Sequence, residues 1–418
     1  MKLARRGAVT IVTALALAAC GGESDSSDDA ATEPTTEPAT TEPTTESATT
    51  EPTTESATTE PTTSGPSGTP APTDVPGDTA APEEPAPTTA PAESVDELAA
   101  QAAEENTLVV YGNPSDQIWE PILAGFGEAY PFIEVETFDL GGVEAFQRYL
   151  TESASGVATA DLLITSEAAG WLDLVDRGEV VDYVDANVNE LPSHAVQAPG
   201  VYAMSLDPLV AMYNQFVVAP EDQPTTLAEL AALAPDLPGD IGTVEIENSQ
   251  AYTGNYGYIA ARTDEAWATL EALGPHTRAE SGTGALLGKA TSGEYPASFF
   301  VSGAVRLLLD TQEQGDVLDY QYLTDATPLA PRAMGVPAGA DSPASAKLLI
   351  NWLLSEEGQA TICLGGLTPY RSGVECEYGY DAIAAIVGED NMIVVDYDPA
   401  AEAERDAIQS RWNEAFGR

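Results

Sequence analysis

Short apolar runs alternate with amphipathic segments along most of this chain, and this alternation limits the fold more than any other feature. Strand-like runs occupy residues 107–111, 133–138, 162–165, 243–246 and 297–301. Helical spacing is found in residues 117–130, 143–153, 168–177, 256–262, 265–273 and 285–292. Strands and helices that alternate at this spacing are typical of parallel α/β folds, where ligands bind at loops that follow the strands. We therefore predict an α/β fold with its site in those loops.

The composition of the chain changes near Ser94, and we place the start of the folded part there. Ser94 and Glu97 have the spacing of a capping box ahead of a helix over residues 98–105. About 325 residues follow, which exceeds the size at which a single hydrophobic core usually stops growing. Two lobes are therefore favoured over one.

Residues 21–93 have the composition of a linker. They contain no lysine, arginine, phenylalanine, tyrosine or tryptophan, and a nine-residue repeat fills residues 40–48 and 49–57. Such a segment buries too little apolar surface to offset the entropy of ordering it, so we expect a disordered Thr/Glu/Pro-rich linker. It is either an extended stalk that lifts the folded part away from a surface or a solubilising tail.

The first 20 residues have the layout of a bacterial lipoprotein signal. Lys2, Arg5 and Arg6 precede an apolar run over residues 8–19, which is too short to cross a bilayer, and small residues stand before Cys20. We predict cleavage before Cys20 and its lipidation, with a diacyl anchor that holds the protein outside the cytoplasm at the cell membrane. The alternative is an ordinary signal peptide with an incidental cysteine.

Two further cysteines, Cys363 and Cys376, belong to a compartment that permits disulfides, and we expect them to pair. The chain has no Cys-x-x-Cys sequence, and its two histidines are His194 and His276. Neither a thiolate zinc site nor a histidine-rich metal site is predicted.

The folded part is strongly acidic. Of the 68 acidic and 15 basic residues, 16 acidic ones lie in residues 21–93 and three basic ones in the first 20, which leaves 52 against 12. A net charge near −40 makes nucleic acid and anionic lipid poor partners. The acidic charge either attracts cationic ligands or keeps the protein solvated in a salty habitat. Both explanations stay open, because screening by salt weakens the effect of the total charge on any one cleft.

Five segments in order resemble the extracellular solute-binding proteins of ABC importers, in the class that includes ferric-iron-binding proteins. They are LVVYGN at 108–113, DLLITSEAAGWLDLVDRGEV at 161–180, SLDPLVAMYN at 205–214, SGEYPASFF at 292–300 and SPASAKLLINWLLSEEGQ at 342–359. The resemblance covers residues 98–418, and the closing RWNEAFGR is similar to the terminal helix of that family.

This resemblance implies a two-lobe, periplasmic-binding-protein-like type II fold with a hinge of two crossing strands. We expect the crossings near residues 205–209 and 330–336. The solute-binding domain would then span residues 94–418, with one lobe in 94–205 and 331–418 and the other in 210–328. The implied partners are a small-molecule solute and a membrane permease, and the implied state is a monomer without a cofactor.

The chain departs from the iron-binding branch of that class. Iron binders place adjacent tyrosines about ten residues beyond the pair that is Gly293-Glu294 here, where this chain has Ser302-Gly303-Ala304. The first-lobe histidine of that branch would fall near Ser115 and its acidic ligand near Ser166 or Glu167. Ferric iron needs anionic oxygen ligands, so it stays only as an alternative, and no metal ligands are assigned.

Polar loops at the ends of strands supply the candidate ligand-binding residues. They are Asn113, Ser115, Asp116, Ser166 and Glu167 in the first lobe, Tyr252, Thr253, Asn255, Ser281 and Thr283 in the second, and Arg371 beside the cysteine pair. Serine, threonine and asparagine before a helix present hydroxyl, amide and backbone N–H groups to an anion, but they also cap helices that bind nothing. Arg371 would pair with a carboxylate or phosphate, or else form a surface salt bridge.

The sequence contains no Gly-x-Ser-x-Gly elbow, P-loop or His-Glu-x-x-His pattern, and neither histidine lies in a catalytic context. We therefore predict a solute-binding protein and not an enzyme. An extracellular hydrolase and a sensor domain remain the rival classes. The solute is left open among phosphorylated or phosphonate compounds, carboxylates, cationic solutes and ferric iron with a synergistic anion.

Overall fold

The computed structural model of the chain describes residues 93–311 and 313–418, which belong to one compact unit that begins at residue 82. The predicted signal peptide, Cys20 and almost all of the predicted linker lie outside the described residues. No helix in the described part is long and apolar enough to cross a membrane.

Eleven strands are found in the described residues. They are β1 (Thr107–Gly112), β2 (Glu134–Asp139), β3 (Leu162–Thr165), β4 (Val196–Ala198), β5 (Val201–Asn214), β6 (Ile241–Val244), β7 (Thr277–Glu280), β8 (Ala297–Ser302), β9 (Leu318–Gln321), β10 (Thr327–Gly335) and β11 (Met392–Val394).

Fourteen α-helices connect and cover the strands in the same part of the chain. They are α1 (Val95–Glu105), α2 (Asp116–Ala129), α3 (Gly142–Ala154), α4 (Ala168–Asp176), α5 (Leu227–Leu233), α6 (Ser249–Arg262), α7 (Asp264–Leu273), α8 (Thr283–Ser292), α9 (Val305–Thr311), α10 (Pro343–Leu354), α11 (Glu356–Leu364), α12 (Tyr380–Val387), α13 (Pro399–Ala403) and α14 (Arg405–Ala415).

The strand β5 is shared by two sheets. In the first sheet the order is β2-β1-β3-β10-β5, with β1 parallel to β2 and β3, and β10 antiparallel to β3 and β5. From Leu209 onward β5 pairs instead with β8 and β9, and the second sheet continues to β6 and β7. The predicted α/β class is confirmed. The two strands expected to cross, β5 and β10, lie side by side in antiparallel pairing.

Each sheet has its own apolar core. Trp119, Ile122 and Trp352 belong to the cluster on the first sheet. Leu209, Phe299 and Trp267 belong to the cluster on the second sheet. A fully buried large aliphatic or aromatic side chain stabilises a fold by about 1.5–3 kcal/mol relative to an exposed one, so each sheet has a core large enough to hold its loops in place.

The last helix packs with the second sheet, although we expected the chain from residue 331 onward to belong to the first lobe. Ile408, Trp412 and Phe416 join the second cluster. The indole of Trp412 stacks on Phe416 at 3.9 Å between ring centroids and donates a hydrogen bond of 3.1 Å to Asn255 Oδ1. This apolar face of α14 and the buried amide of Asn255 account for the placement.

Several local predictions need correction. Ser94 is the N-cap residue of α1, but its side chain accepts no cap hydrogen bond, so the predicted capping box is not formed. The strand predicted over residues 243–246 begins and ends two residues earlier, as β6. The helix predicted from residue 256 begins at Ser249. The expected pairing of Cys363 with Cys376 is confirmed as a disulfide.

Candidate functional site

The polar loop that follows β1 of the first sheet lies at a cavity. Asn113 and Ser115 come after β1, and Ser115 is the N-cap residue of α2 with no side-chain cap hydrogen bond. Because the hydroxyl is not used for capping, it is available to a ligand. Both residues line the cavity, whereas Asp116 is exposed and does not belong to its lining.

This first cavity has a volume of about 230 Å³ and draws its walls from both sheets. Its lining residues are Asn113, Ser115, Gln117, Ile118, Gln250, Thr283, Ser302, Ala304, Val305, Leu307, Leu308 and Arg332. Its apolar lining comes mostly from α9, with Ala304 just before that helix and Ile118 of α2. The other groups are neutral and polar apart from the arginine. A small solute here would contact hydrogen-bonding groups from both sides.

Arg332 lies on the crossing strand β10 and was missed by the sequence analysis. Its side chain is 4% exposed and forms an ion pair with Asp207, itself 1% exposed, on the neighbouring strand β5. Nε and Nη2 donate to Asp207 Oδ2 at 3.2 and 3.0 Å, and Nη1 donates to Asn113 Oδ1. A buried arginine at a cavity is a strong anchor for an anionic group, because guanidinium can bind carboxylate or phosphate through two parallel hydrogen bonds.

Thr283 and Ser302 bring the second sheet to the first cavity. Thr283 is the first residue of α8, and Ser302 ends β8. Shortly before Ser302 the pairing of β8 with β5 shifts register, and Phe300 has a φ of 51°. A bulge of this kind redirects the end of a strand, and a non-glycine residue with positive φ is costly enough that its surroundings must hold it.

A second cavity, of about 440 Å³, shares Asn113 and Gln250 with the first. Its lining residues are Asn113, Gly141, Gly142, Val143, Glu144, Gln147, Ser166, Glu167, Glu247, Asn248, Ser249 and Gln250. The predicted pair Ser166 and Glu167, which follows β3, is therefore at this cavity. The two cavities together form the candidate site, which we call the cleft.

The carboxyl group of Glu167 is half-buried in this second cavity. Burial raises its pKa above the ordinary value, while the nearby positive charge of Arg405 and the polar hydroxyl group of Ser249 oppose that rise. Arg405 itself is paired with Glu402 through hydrogen bonds of 2.6 and 2.8 Å. Ser166 is 4% exposed, and its hydroxyl has no hydrogen-bond partner among the described residues.

A hydrogen bond joins the two sides of the cleft beside these residues. The Ser249 hydroxyl, at the start of α6, donates to the carbonyl oxygen of Ser166 at 2.8 Å. The same helix start carries Asn248, whose side chain accepts from the backbone N–H groups of Gln250 and Ala251. The Ser249 hydrogen bond therefore holds the N-terminal turn of α6 against the first sheet, a contact that the sequence did not predict.

Three residues predicted for the site lie in the core instead. Tyr252, Thr253 and Asn255 are buried inside α6, not in a loop ahead of it. The phenol of Tyr252 donates to the carbonyl oxygen of Ala401 at 2.7 Å. Gly254 explains the misreading: a Cβ there would lie 2.6 Å from a Leu209 methyl, so this glycine permits close packing of the helix on the sheet and does not mark a loop.

Two other predicted residues stand apart from the cleft. Ser281 is exposed and is not among the described residues that line either cavity. Arg371 donates to the backbone oxygen of Leu354 at 3.0 Å and forms an ion pair with Glu190. The competing interpretation of Arg371, as a structural salt bridge, is the one that its contacts support.

Known structures resemble this fold across most of its length. The substrate-binding protein of an ABC transporter from Agrobacterium tumefaciens has a TM-score of 0.65 at 24% identity, with 74% of this chain and 94% of that chain covered. Iron-bound HitA from Pseudomonas aeruginosa has a TM-score of 0.60 at 19% identity, over 74% and 99% of the two chains. AfuA from Actinobacillus pleuropneumoniae, solved with fructose-6-phosphate bound, has a TM-score of 0.59 at 19% identity, over 74% and 98%.

These likenesses define the fold as the two-lobe type II fold of periplasmic binding proteins, as predicted. The family model for bacterial extracellular solute-binding proteins matches residues 122–381, and the chain belongs to this family. No curated protein sequence matches the chain significantly.

Proposed function

We propose that this protein captures a small polar solute in the cleft and delivers it to the membrane permease of an ABC importer. The observation that carries the proposal is the composition of the first cavity. Ser115 of the first sheet, Thr283 of the second and Arg332 on a crossing strand all line it. A solute held by all three would connect the two lobes.

The crossing strands supply the hinge in this proposal. A solute that contacts both sides of the cleft has more favourable contacts when the lobes are closed, so its binding shifts the equilibrium towards the closed form. The permease would recognise that closed form. Capture at micromolar concentration corresponds to about 8 kcal/mol, which a few hydrogen bonds and one ion pair in a dehydrated cleft can provide.

Arg332 narrows the ligand classes that the sequence left open. A buried guanidinium beside hydroxyl and amide groups favours a solute with a carboxylate, phosphate or phosphonate group. The structure of AfuA with a bound sugar phosphate supports this choice. The resemblance to iron binders places their adjacent tyrosines where this chain has Ser302-Gly303-Ala304, which argues against iron. We propose a carrier and not an enzyme, because the matched family consists of solute-binding proteins.

The proposal includes a lipid anchor on Cys20. The family is extracellular, and the cysteine follows an apolar segment in the lipoprotein pattern. A Cys20→Ser variant expressed in a bacterium with lipoprotein processing should lose the diacylglyceryl mass and leave the membrane fraction. Retention of the variant in that fraction after a high-salt wash would contradict the anchor while leaving solute capture untouched.

Solute capture is tested by a thermal-shift screen of the purified protein after removal of bound small molecules by partial unfolding and refolding. The screen covers anionic, zwitterionic, cationic and neutral solutes together with ferric citrate. Because a ligand that binds only the native state raises the melting temperature, the proposal expects a saturable rise with at least one class. No rise with any class would contradict it.

A matched pair of variants connects any such binding to the cleft. Thr283→Ala removes a hydroxyl that lines the first cavity, and Ser281→Ala removes one that lies two residues away and is exposed. The loss of one hydrogen bond to a charged ligand group weakens binding about tenfold. We expect that loss for Thr283→Ala and almost none for Ser281→Ala, and equal effects would contradict the placement.

A further inference from the structure

The two cavities of the cleft meet, but they differ in charge. They share Asn113 and Gln250, so one solute can extend from one cavity into the other. Among the described residues that line the first cavity, Arg332 is basic and none is acidic. Among those that line the second, Glu144, Glu167 and Glu247 are acidic and none is basic.

The arginine end retains hydrogen-bonding capacity for an anion. A guanidinium group has five N–H bonds, and the contacts of Arg332 with Asp207 and Asn113 use three of them. Asp207 balances the charge of the arginine and keeps it buried without itself lining the cavity. An anionic group that binds here meets an ion pair whose two charges already cancel. It lies beside the hydroxyl groups of Ser115 and Thr283.

The opposite end has an excess of negative charge. The positive charge of Arg405 acts on Glu167, but Arg405 is already paired with Glu402. These three groups together carry one net negative charge, and Glu144 and Glu247 add two more at the rim of the same cavity. A cation that binds here is therefore attracted by carboxylates that lack a full set of positive partners.

A second observation, independent of charge, points to a ligand at the carboxylate end. Ser166 lines this cavity and is buried, and its hydroxyl has no hydrogen-bond partner among the described residues. A buried hydroxyl without a partner is energetically unfavourable, so such groups usually meet a ligand or a water molecule. A bound ammonium group could donate to Ser166 and to Glu167 beside it.

We infer that the solute is zwitterionic, with a carboxylate, phosphate or phosphonate at Arg332 and an amino or alkylammonium group among Glu144, Glu167 and Glu247. This inference rests on the proposed function and specifies its ligand class. It separates this cleft from one made for a purely anionic solute, because the carboxylate end repels a second negative group and attracts a positive one.

The test uses three matched sets of probes in isothermal titration calorimetry with the purified protein. Each set holds a zwitterion, the anion without the amino group and the amine without the acid. The sets are 3-aminopropylphosphonate, propylphosphonate and propylamine; O-phosphoethanolamine, ethyl phosphate and ethylamine; and 4-aminobutyrate, butyrate and butylamine. In at least one set the zwitterion should bind about tenfold or more tightly than both single-charge analogues.

A variant that neutralises one carboxylate then tests whether the positively charged group of the solute binds in the second cavity. Glu167→Gln should weaken binding of the preferred zwitterion about tenfold, and it should leave the matched anion unchanged or more tightly bound because a repulsive charge is removed. Glu128→Gln is the control, since Glu128 is an exposed residue of α2 that lines neither cavity. It should leave both affinities within about twofold.

Three results would overturn the inference. They are an anion that binds as tightly as its zwitterion in every set, an amine that does so, and an absence of binding by all nine probes. The proposed function still stands after any of these results if the broader thermal-shift screen finds another solute and Thr283→Ala weakens the binding of that solute. Failure of that screen as well would overturn both.

Discussion

Two buried arginines lie near the crossing strands, and they are kept in the interior by different means. Arg332 has a carboxylate partner in Asp207 and borders the cleft. Arg306, in α9, has no ion pair among the described side chains and is 1% exposed. It donates to Gly303 O and to the Tyr322 hydroxyl, both at 2.9 Å, and its guanidinium lies 3.8 Å from the ring centre of Tyr378.

The difference separates a group that can bind a ligand from a group that holds the fold. Arg306 also reaches Gly366 O and the Thr368 hydroxyl at 3.4 Å, so neutral groups of the protein surround it. Those groups belong to the loop that the disulfide closes, which Arg306 thereby joins to α9. Arg332 uses three of its N–H groups on the protein and lines a cavity, so it is the arginine that a solute can reach.

The largest effect is expected at the paired arginine. Asp207→Asn leaves Arg332 buried without a countercharge, and removal of one partner of a buried ion pair costs about 3–5 kcal/mol. Urea unfolding followed by circular dichroism measures the loss. The double variant Asp207→Leu with Arg332→Met removes both charges and should regain most of that stability. A loss below about 1 kcal/mol in Asp207→Asn would show that the arginine does not depend on its partner.

The loop that contacts Arg306 gives the next effect. The disulfide links residues 13 apart, and Cys363→Ser with Cys376→Ser frees that loop in the unfolded chain, for a cost of about 3 kcal/mol. Thermal unfolding of the double variant measures the loss, and the wild type under reducing conditions should match it. Solute binding at the cleft should persist, because neither cysteine lines a cavity. Loss of binding together with retained stability would contradict this separation.

Removal of Arg306 should cost less than removal of Asp207. Arg306→Met keeps much of the apolar volume but removes the guanidinium donors to Gly366 O and to the Tyr322 hydroxyl, for about 1–3 kcal/mol. The same chemical-unfolding measurement applies. Arg306→Lys is the matched control, since it retains the charge and fewer hydrogen bonds, and it should fall between the wild type and Arg306→Met. A cost above that of Asp207→Asn would reverse the comparison.

A half-buried histidine, His194, differs from both arginines because it can release its proton near neutral pH. His194 stacks against Tyr380 and meets Tyr370 edge-on, and burial lowers its pKa below 6.5, although the negative charge of Asp396 opposes this. As the pH falls below about 6.5, this histidine binds a proton more readily in the unfolded chain than in the folded protein. The free energy of unfolding therefore decreases, and it stops decreasing below the pKa of His194 in the folded protein.

His194→Gln should remove that part of the acid sensitivity. The free energy of unfolding should fall less between pH 7.5 and pH 5.5 in the variant than in the wild type. If burial lowers the pKa of His194 by one unit, the two falls should differ by less than about 1.4 kcal/mol. His276→Gln serves as the control histidine variant. An identical pH dependence in wild type and His194→Gln would show that burial does not lower the pKa of His194.

The sequence predicted the fold better than it predicted the site, and the reasons are physical. Alternating apolar runs determine strands and helices through local spacing, and β1 and β3 appear where that spacing placed them. Asn113, Ser115, Ser166, Glu167 and Thr283 line the cavities, because polar residues at strand ends and helix starts of an α/β fold gather at its cleft. Whether they bind a solute stays a prediction.

The residues that the sequence analysis missed or misplaced depend on contacts distant in the chain. Arg332 and Asp207 meet only because two strands 125 residues apart pair in antiparallel register. The sequence did carry one sign, a single arginine within the otherwise apolar β10. The Tyr-Thr-Gly-Asn segment of α6 resembled a loop because close helix packing and a turn both favour glycine.

A crystal structure of the protein with the probe that binds most tightly would show whether a solute is held between the two lobes at Arg332. We expect the acidic group of the solute within hydrogen-bond distance of Arg332, with contacts to Ser115 on one side and Thr283 on the other. A solute bound outside the cleft, or held by the residues of one sheet alone, would show that Arg332 is not the anchor.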